Sequence, residues 1–345
     1  GIASHERLED VFRLRGADIH QVLAIERVPV GKAPPLPAPL RRPEPLAVLR
    51  RLSGRLSRAR TLDALLDAAL DGLQQELGLS QAMVLIADTA SGRLYTVGSR
   101  GYPTSGVGSE IAVGHGVIGV AAREGTPVRI NHMTSAARYN QALADSLGRR
   151  EAGAEIPYPG LARPGSQLAV PLLSAGRVLG VLFVESEHEM HLNHEDEDLL
   201  VALAGQLAAG IDLMHESEEP CGDDGAAAAS AAVAASAAPL LRVRRYRRDD
   251  SIFVNNAYLI KGVAGAILWK LLKDRQQGRS EFTNRELRLD RSLRLPDVAD
   301  NLEARLLLLH RRLAEQCPQL RIQKTGRGCF RFEANGPVEL EDVAA

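Results

Sequence analysis

The sequence is poor in the features that build disulfide frameworks, membrane spans and familiar catalytic sites. Its three cysteines, Cys221, Cys317 and Cys329, lie far apart and form no CxxC pair, which is typical of a protein kept in a reducing compartment. No apolar run approaches the roughly 18 residues that a membrane span requires, and no signal peptide opens the chain. It contains no nucleophile elbow, P-loop or kinase motif. These absences predict a cytoplasmic protein that has no membrane contact and is not an enzyme.

Acidic and basic residues nearly cancel over the 345 residues, with a formal net charge of −1 at pH 7, but they are unevenly distributed. The segment from Leu240 to Glu333 contains 21 Lys and Arg residues but only 11 Asp and Glu residues. The rest of the chain is acidic by a similar amount. Such asymmetry favours a role in which one end meets an anion such as nucleic acid.

Two low-complexity segments divide the chain. One is rich in proline (VGKAPPLPAPLRRPEP), the other in Ala and Ser (GDDGAAAASAAVAASAAP), and both are typical of linkers. We interpret the residues before the first linker as an extension left over from a preceding domain. The predicted divisions are an N-terminal extension (1–29), a Pro-rich linker (30–45), a middle domain (46–216), an Ala/Ser-rich linker (217–239), a C-terminal domain (240–335) and an acidic tail (336–345).

The middle domain has the pattern of an α+β fold. Leu and Ala at helical spacing predict a long helix over 46–77, and HEDEDLLVALAGQLAAGIDLMHE predicts a closing helix over 193–216. QAMVLIAD and GRLYTVGS flank DTASG as a strand pair. The order of elements is helix, hairpin, strand–helix–strand, hairpin and helix. It predicts an antiparallel sheet with helices on one side.

Three runs of this domain resemble, in order, parts of the GAF domain. GVGSEIAVGHGVIGVAAREGTPVRINHM resembles its glycine-bearing turn, short helix and following strand; SQLAVPLLSAGRVLGVLFVES its last strand pair; and HEDEDLLVALAGQLAAGI its closing helix. The resemblance spans about 170 residues. It implies a small-molecule pocket between the sheet and the helices that cover it. It also implies a homodimer, in which the helices 46–77 and 193–216 pair across a two-fold axis.

The resemblance places several polar side chains along such a pocket. An alternative is that the pocket is collapsed and these residues only satisfy backbone groups. No cysteine lies between residues 46 and 216 and the NKFDE signature is absent, which excludes the covalent bilin, methionine-sulfoxide reductase and cyclic-nucleotide phosphodiesterase branches of the family. No cofactor is therefore expected beyond a small-molecule ligand. The candidate pocket residues are Tyr95, Arg100, His115, Asn131, His132, Tyr139, Asn140 and Gln167.

The stretch SEHEMHLNHEDED carries three evenly spaced histidines, His188, His191 and His194, among acidic residues. They could form a metal site or a pH-sensitive loop. Asn193, however, is a natural N-cap, and the acidic residues after it suit the first turn of a helix. We therefore predict a helix that begins at His194, which leaves the other two histidines in the preceding loop and predicts no metal.

The C-terminal domain has a different pattern. LRVRRYRR, SIFVNN and AYLIKG predict short strands; VAGAILWKLLKDRQQ, TNRELRLDRSL and LPDVADNLEARLLLLHRRLAEQC predict three helices; and LRIQKT–GRG–CFRFE predicts a hairpin. Thr283 or Asn284 is the expected N-cap of the second helix. The whole resembles the winged-helix DNA-binding domain of response-regulator type, most clearly in NLEARLLLLHRRLAE and the hairpin that follows.

That resemblance implies that the third helix enters the major groove and that the hairpin touches phosphate or the minor groove. The basic strand LRVRRYRR adds positive charge at the front of the domain. Phosphate contacts would position the domain, and helix residues would read bases. The candidate DNA contacts are Arg305, His310, Arg311 and Arg312 on the helix and Lys324, Arg327 and Arg331 on the hairpin.

The third helix departs from the family pattern, because it has four consecutive leucines, 306–309, where arginines are usual. Four leucines in a row cannot all face one core, so we expect Leu307 or Leu308 to point outward. Acidic residues on the leading turns, Asp297, Asp300 and Glu303, would repel DNA. A protein partner for this domain is therefore the alternative to DNA, and a scaffold that only dimerises is a third reading. The preferred interpretation is a signal-responsive transcriptional regulator.

Overall fold

The computed structural model describes residues 44–132, 156–216, 240–293, 295, 302–326 and 328–343. The strands of the middle domain are β1 (Gln81–Asp88), β2 (Arg93–Arg100), β3 (Glu110–Ala112), β4 (Val128–Ile130), β5 (Ser166–Ser174) and β6 (Arg177–Ser186). Its helices are α1 (Pro45–Leu56), α2 (Leu62–Leu77), α3 (Gly116–Glu124) and α4 (His194–Glu216). The six strands form one antiparallel sheet in the order β3-β2-β1-β6-β5-β4, as the α+β pattern predicted.

Helices cover both faces of this sheet, which corrects the prediction that they lie on one side. Val84 and Leu182 pack on the face that α1, α2 and α4 cover, whereas Phe183 on the opposite face packs with Ile118 of α3. The central strands are apolar at nearly every position rather than at alternate ones. Strands of that kind need cover on both faces.

The helix predicted over 46–77 is in fact two helices. α2 starts at Leu62 behind Thr61, whose hydroxyl oxygen accepts a hydrogen bond of 3.2 Å from the Ala64 N–H. A side-chain cap of this kind satisfies an otherwise unpaired N–H group at a new helix start. α1 then folds back on α2, and Arg51 pairs with Glu76 at 2.8 Å. The prediction failed because the leucine pattern continues through the turn.

The C-terminal domain contains two small sheets and three α-helices in its described residues. Its strands are β7 (Leu241–Tyr246), β8 (Ser251–Val254), β9 (Ala257–Ile260), β10 (Glu281–Thr283), β11 (Leu320–Gly326), β12 (Cys329–Ala334) and β13 (Val338–Val343). Its helices are α5 (Gly262–Gln276), α6 (Asn284–Leu289) and α7 (Leu302–Gln316), with a 3₁₀ turn at Arg291–Leu293. The sheets have the orders β13-β7-β8-β9 and β10-β12-β11. Thr283 caps α6 in a capping box with Glu286, as predicted.

The residues predicted to be an acidic tail contain instead an edge strand. β13 pairs in parallel with β7, and its carboxylates neutralise arginines of the strand that we expected to add positive charge at the front of the domain. The β7 segment LRVRRYRR is therefore largely paired within the protein. The ion pairs are Arg242–Glu339 (3.1 Å), Arg244–Glu341 (2.8 Å) and Arg247–Asp342 (2.8 Å).

The described residues belong to one compact unit, and the main hydrophobic cluster runs from the middle domain into the C-terminal domain. α7 lies where the two meet. The prediction that Leu307 or Leu308 points outward is wrong, because both are buried and Leu306 is half-buried. One helix can bury four consecutive leucines when protein covers more than one of its faces.

Among the described residues, none of the helices combines the length and the hydropathy that a membrane crossing requires.

Candidate functional site

The sheet face beneath α3 contains a buried carboxylate. Alternation along β6 places Glu185 on the same face as Phe183, which packs with α3. Gln167 of β5 is the direct cross-strand neighbour of Glu185. Glu185 is 1% exposed. This acidic residue within the apolar run GVLFVES was the sequence signal for a site, and we missed it.

Glu185 accepts two hydrogen bonds from protein groups. The Leu161 N–H donates to Oε1 at 2.8 Å, and the Gln167 side-chain amide donates to Oε2 at 3.1 Å. Burial raises the pKa of Glu185 above its ordinary value of 4.5, although both hydrogen bonds act in the opposite direction. A carboxylate held in this way is stabilised further by any ligand group that donates a hydrogen bond or carries positive charge.

Tyr102 supplies a second polar group at the same site. Its hydroxyl is buried beside Glu185 and forms no hydrogen bond of normal geometry among the described residues, although it is close enough to that carboxyl to lower its pKa. Burial and the nearby charge of Glu185 both raise the pKa of this hydroxyl, so it stays protonated at neutral pH. A buried hydroxyl that lacks a well-formed hydrogen bond is costly, and a polar ligand lying between Tyr102 and Glu185 could complete one.

The candidate pocket residues are only partly brought together. Gln167 lies in this site, whereas Tyr95 and Arg100 do not. Tyr95 belongs to the hydrophobic cluster on the opposite face of the sheet, and Arg100 pairs with Asp67 and Asp71 of α2. The pattern predicted the strand but not which of its faces lies toward α3.

The other candidates lie at the edge of the middle domain or outside the described residues. His115 is the exposed N-cap residue of α3. Asn131 follows β4 and has a buried side-chain oxygen without a hydrogen-bond partner in the described ranges. His132 is exposed and lies 2.7 Å from a carboxylate oxygen of Glu189. Tyr139 and Asn140 lie outside the described residues.

The histidine-rich stretch is the start of a helix, as predicted. α4 begins at His194, and Asn193 and Asp196 exchange hydrogen bonds of 2.9 and 3.0 Å in a reciprocal cap. His188 and His191 precede the helix, with their rings edge to face at 6.1 Å. Across the described ranges, no group of three or more His, Cys, Asp or Glu side chains could hold a metal ion.

The second candidate site is the junction between α7 and the middle domain. Arg311 reaches across the junction and donates to Asp63 Oδ1 at 2.9 Å, to Asp67 Oδ1 at 2.8 Å and to the Val97 carbonyl at 3.0 Å. Gly98 leaves room for this guanidinium, since a methyl group there would come within 2.5 Å of Arg311 Nη1. The Arg311 guanidinium therefore fits into the space that Gly98 leaves open on the surface of the middle domain.

Further polar contacts join the same two surfaces. Arg305 Nη2 lies 3.0 Å from Asp88 Oδ1, and its guanidinium stands 5.9 Å from the centre of the Tyr95 ring. Lys261, just before α5, lies 3.3 Å from Glu110 of β3. The Ser105 hydroxyl donates to Glu315 of α7 at 2.9 Å. We had no sequence signal for these partners, because they lie some 150 to 250 positions apart along the chain.

Most of the described candidate DNA contacts are engaged by groups of the protein itself, and two are exposed. Arg305, Arg311 and Arg312 of α7 are engaged inside the protein; Arg312 is buried and donates to the Leu259 carbonyl at 3.1 Å, and its burial lowers its pKa. His310 and the hairpin residue Lys324 are exposed. Arg331 pairs with Glu281 at 2.8 Å, and Arg327 lies outside the described residues.

A cavity of about 320 Å³ lies beside these contacts. Apolar side chains from α2, α7 and the hairpin line it, including Leu62, Leu306 and Ile322, together with the charged side chains of Asp63 and Lys324. An occupant of this cavity would contact the middle domain and the C-terminal domain at once.

Comparisons with known proteins identify the middle domain. The family model described as GAF domain matches residues 59–212, whereas no curated protein matches the chain. Similar solved structures include the GAF domain of an Acinetobacter phosphoenolpyruvate-protein phosphotransferase, with 21% identity and a TM-score of 0.41, where the match covers 50% of this chain and 96% of that chain. The GAF domain of a Coxiella burnetii phosphoenolpyruvate-protein phosphotransferase also has 21% identity, with a TM-score of 0.40, and the match covers 49% of this chain and 93% of that chain. Another is free methionine-R-sulfoxide reductase from Neisseria meningitidis in complex with its substrate, with 23% identity and a TM-score of 0.39, where the match covers 49% of this chain and 88% of that chain. Residues 59–212 of this chain are a GAF domain, a sensor module typical of signalling proteins.

Proposed function

We propose that the chain is a cytoplasmic, non-enzymatic regulator in which a GAF sensor controls a winged-helix DNA-binding output. The order and pairing of elements after residue 240 carry the proposal. A small sheet precedes α5, α6 and α7, and the β11–β12 hairpin follows. β10, between α5 and α6, pairs with β12 of that hairpin. This is the arrangement expected of a winged helix, with α7 as its recognition helix and the hairpin as its wing.

The charge of the domain supports an anionic partner. The excess of Lys and Arg between Leu240 and Glu333 remains after β13 has neutralised part of β7. The exposed side chains of Lys324 on the wing and of Arg285 on α6 are available to phosphate groups. Contacts of this kind provide the salt-dependent part of DNA affinity.

The buried carboxylate beneath α3 indicates the chemistry of the signal. Glu185 and the Tyr102 hydroxyl would bind a small molecule with a hydrogen-bond donor or a positive charge. Binding to one state of the sensor would shift the population of output states.

The homodimer of GAF helices has one supporting surface. Val201, Gly205, Ala209 and Leu213 lie four residues apart on the exposed face of α4, and Leu213 is 66% exposed. Residues at this spacing form a continuous stripe along a helix. A second copy of the chain could cover that stripe and place two output domains on a palindromic site.

The alternative function is a winged helix that docks onto a protein partner. It is favoured by one observation, that α7 buries its leucines and arginines against protein in this structure. A helix of this composition could exchange one protein surface for another.

DNA binding is tested by fluorescence anisotropy of the full chain on a labelled random-sequence duplex. Because Asp63 and Asp67 engage Arg311 here, the chain with Asp63→Asn and Asp67→Asn is measured as well. We expect affinity to fall steeply between roughly 50 and 200 mM salt. Lys324→Gln should reduce the salt slope by about one, whereas Arg58→Gln, at an exposed position of the GAF domain, should not. If no chain binds the duplex at low salt, the DNA-binding output is wrong and the protein-docking alternative stands.

The sensor is tested by thermal shift against a panel of amines, amino acids and nucleosides. A true ligand stabilises the native state in proportion to the logarithm of its concentration. Its effect should disappear in Glu185→Gln and persist in Glu187→Gln, because Glu187 lies two residues further along the chain and is exposed. A ligand whose effect survives Glu185→Gln would contradict the proposal that Glu185 contacts the ligand.

A further inference from the structure

We propose that the GAF domain carries an acidic surface that binds α7, and Lys261 just before α5, in place of DNA. This acidic surface consists of Asp63, Asp67, Asp88 and Glu110, and the inference rests on the proposed DNA-binding function. By holding α7, the acidic surface would keep the output domain inactive. In this account the structure is the closed state of the regulator.

The charges across the junction are arranged with one polarity. The acidic surface supplies four carboxylates, and the C-terminal domain supplies the cations Lys261, Arg305 and Arg311 that meet them. Carboxylate and phosphate oxygens are recognised by guanidinium groups with the same directed, charge-assisted hydrogen bonds. The carboxylates therefore engage the same cations, Arg305 and Arg311 of α7 and Lys261 before α5, that DNA would need.

The two partners exclude one another. The side chains of Arg305 and Arg311 are only 5% and 13% exposed, and Arg311 already donates to two carboxylates and one carbonyl. A duplex cannot reach either guanidinium while α7 lies on the GAF domain. Among the described members of the contact set, His310 and Lys324 are exposed, whereas Arg305, Arg311 and Arg312 are held by protein groups.

The ion pairs are suited to being broken. Asp63 and Asp67 are each more than one-third exposed, so water and salt can compete for them. The contacts also come from elements of the sensor itself, since α2 and β2 provide Asp67 and the Val97 carbonyl. A change in the packing of α2 on the sheet would therefore alter the hold on α7 directly.

The test compares DNA affinity and compactness in matched variants of the full chain. Asp63→Asn with Asp67→Asn removes two of the carboxylates that hold Arg311 but leaves every cation of the output domain in place. Asp71→Asn, one turn further along α2, removes a carboxylate that pairs with Arg100 and not with α7. We expect the double variant to bind a random duplex at least tenfold more tightly than the native chain, within the range of couplings known between sites. Asp71→Asn should bind as the native chain does.

Small-angle X-ray scattering gives a readout that does not depend on DNA. Asp67→Arg should increase the radius of gyration, because it places like charges against Arg311. Adding Arg311→Asp should restore the compact form, since the pair is then reversed. Native far-UV circular dichroism of the Asp67→Arg chain would show that it has opened and has not unfolded.

The outcomes separate this proposal from the proposed function. Opening on Asp67→Arg, compaction in the reversed pair and tighter DNA binding in the double asparagine variant support the acidic surface as a competitor of DNA. Variants that open but bind no DNA overturn the DNA-binding function and the competition with it. A native chain that already binds DNA as tightly as the double variant, or a chain whose radius does not respond to Asp67→Arg, overturns the competition alone.

Discussion

Removing the charge of Arg305 should destabilise the chain more than removing any exposed arginine. Arg305→Met keeps much of the buried aliphatic chain but deletes the bond to Asp88 and the contact with the Tyr95 ring. Breaking a buried ion pair costs about 3–5 kcal/mol when it strands a buried charge. Asp88 is 15% exposed and keeps hydrogen bonds from the Ala90 N–H and the Ser91 hydroxyl. The loss should therefore lie near the lower limit, at about 3 kcal/mol.

The assay is thermal and urea unfolding followed by the fluorescence of the single tryptophan, Trp269, which is buried in the C-terminal domain. A loss of about 3 kcal/mol corresponds to a fall in melting temperature of about 6–12 °C for a domain of this size. Arg285→Met, on the exposed side of α6, should change stability by less than about 0.5 kcal/mol. If the two variants cost the same, Arg305 is not buried against the GAF domain in solution and the closed arrangement is wrong.

Three further predictions concern the rest of the chain. Burial raises the folded-state pKa of Glu185. Its contribution to stability is therefore most favourable below the unfolded pKa, near 4.5, and is lost as pH rises toward the folded pKa. Urea titrations over this window should show a free energy of unfolding that depends less on pH in Glu185→Gln, and the native pH dependence in Glu187→Gln. Asn193→Ala should cost about 1 kcal/mol by removing the cap of α4, and equal unfolding midpoints would contradict the capping role. Leu309→Ala should cost about 2–5 kcal/mol, because the side chain is fully buried, and a loss below about 1 kcal/mol would place this face of α7 in solvent.

Local features of the sequence predicted most of the secondary structure correctly. The Asn193 cap, the capping box at Thr283 and the glycine-bearing hairpin each depend on residues within a few positions of one another, so their signals are present in the sequence. The same holds for the GAF pattern, whose motifs appear in the right order. The division of the 46–77 helix was missed because Thr61 is a weaker signal than the leucines around it.

Features that depend on distant residues could not be predicted. Nothing near Arg311 indicates that Asp63 and Asp67 will meet it, and nothing near Leu307 indicates a second protein surface over α7. The acidic residues of β13 have the pattern of a solvated tail, because their pairing with the arginines of β7 joins positions 95 to 97 residues apart. Glu185 is intermediate, because a charge within an apolar strand is visible in the sequence, but its neighbours Tyr102 and Leu161 come from other segments.

In the proposed closed state, a GAF sensor holds the recognition helix of a DNA-binding output against its own acidic surface. The most direct measurement is the ratio of two dissociation constants on one duplex at one salt concentration, for the native full-length chain and for the chain with Asp63→Asn and Asp67→Asn. We expect the native chain to bind at least tenfold more weakly. Equal constants, at any salt concentration where both chains bind, would contradict it.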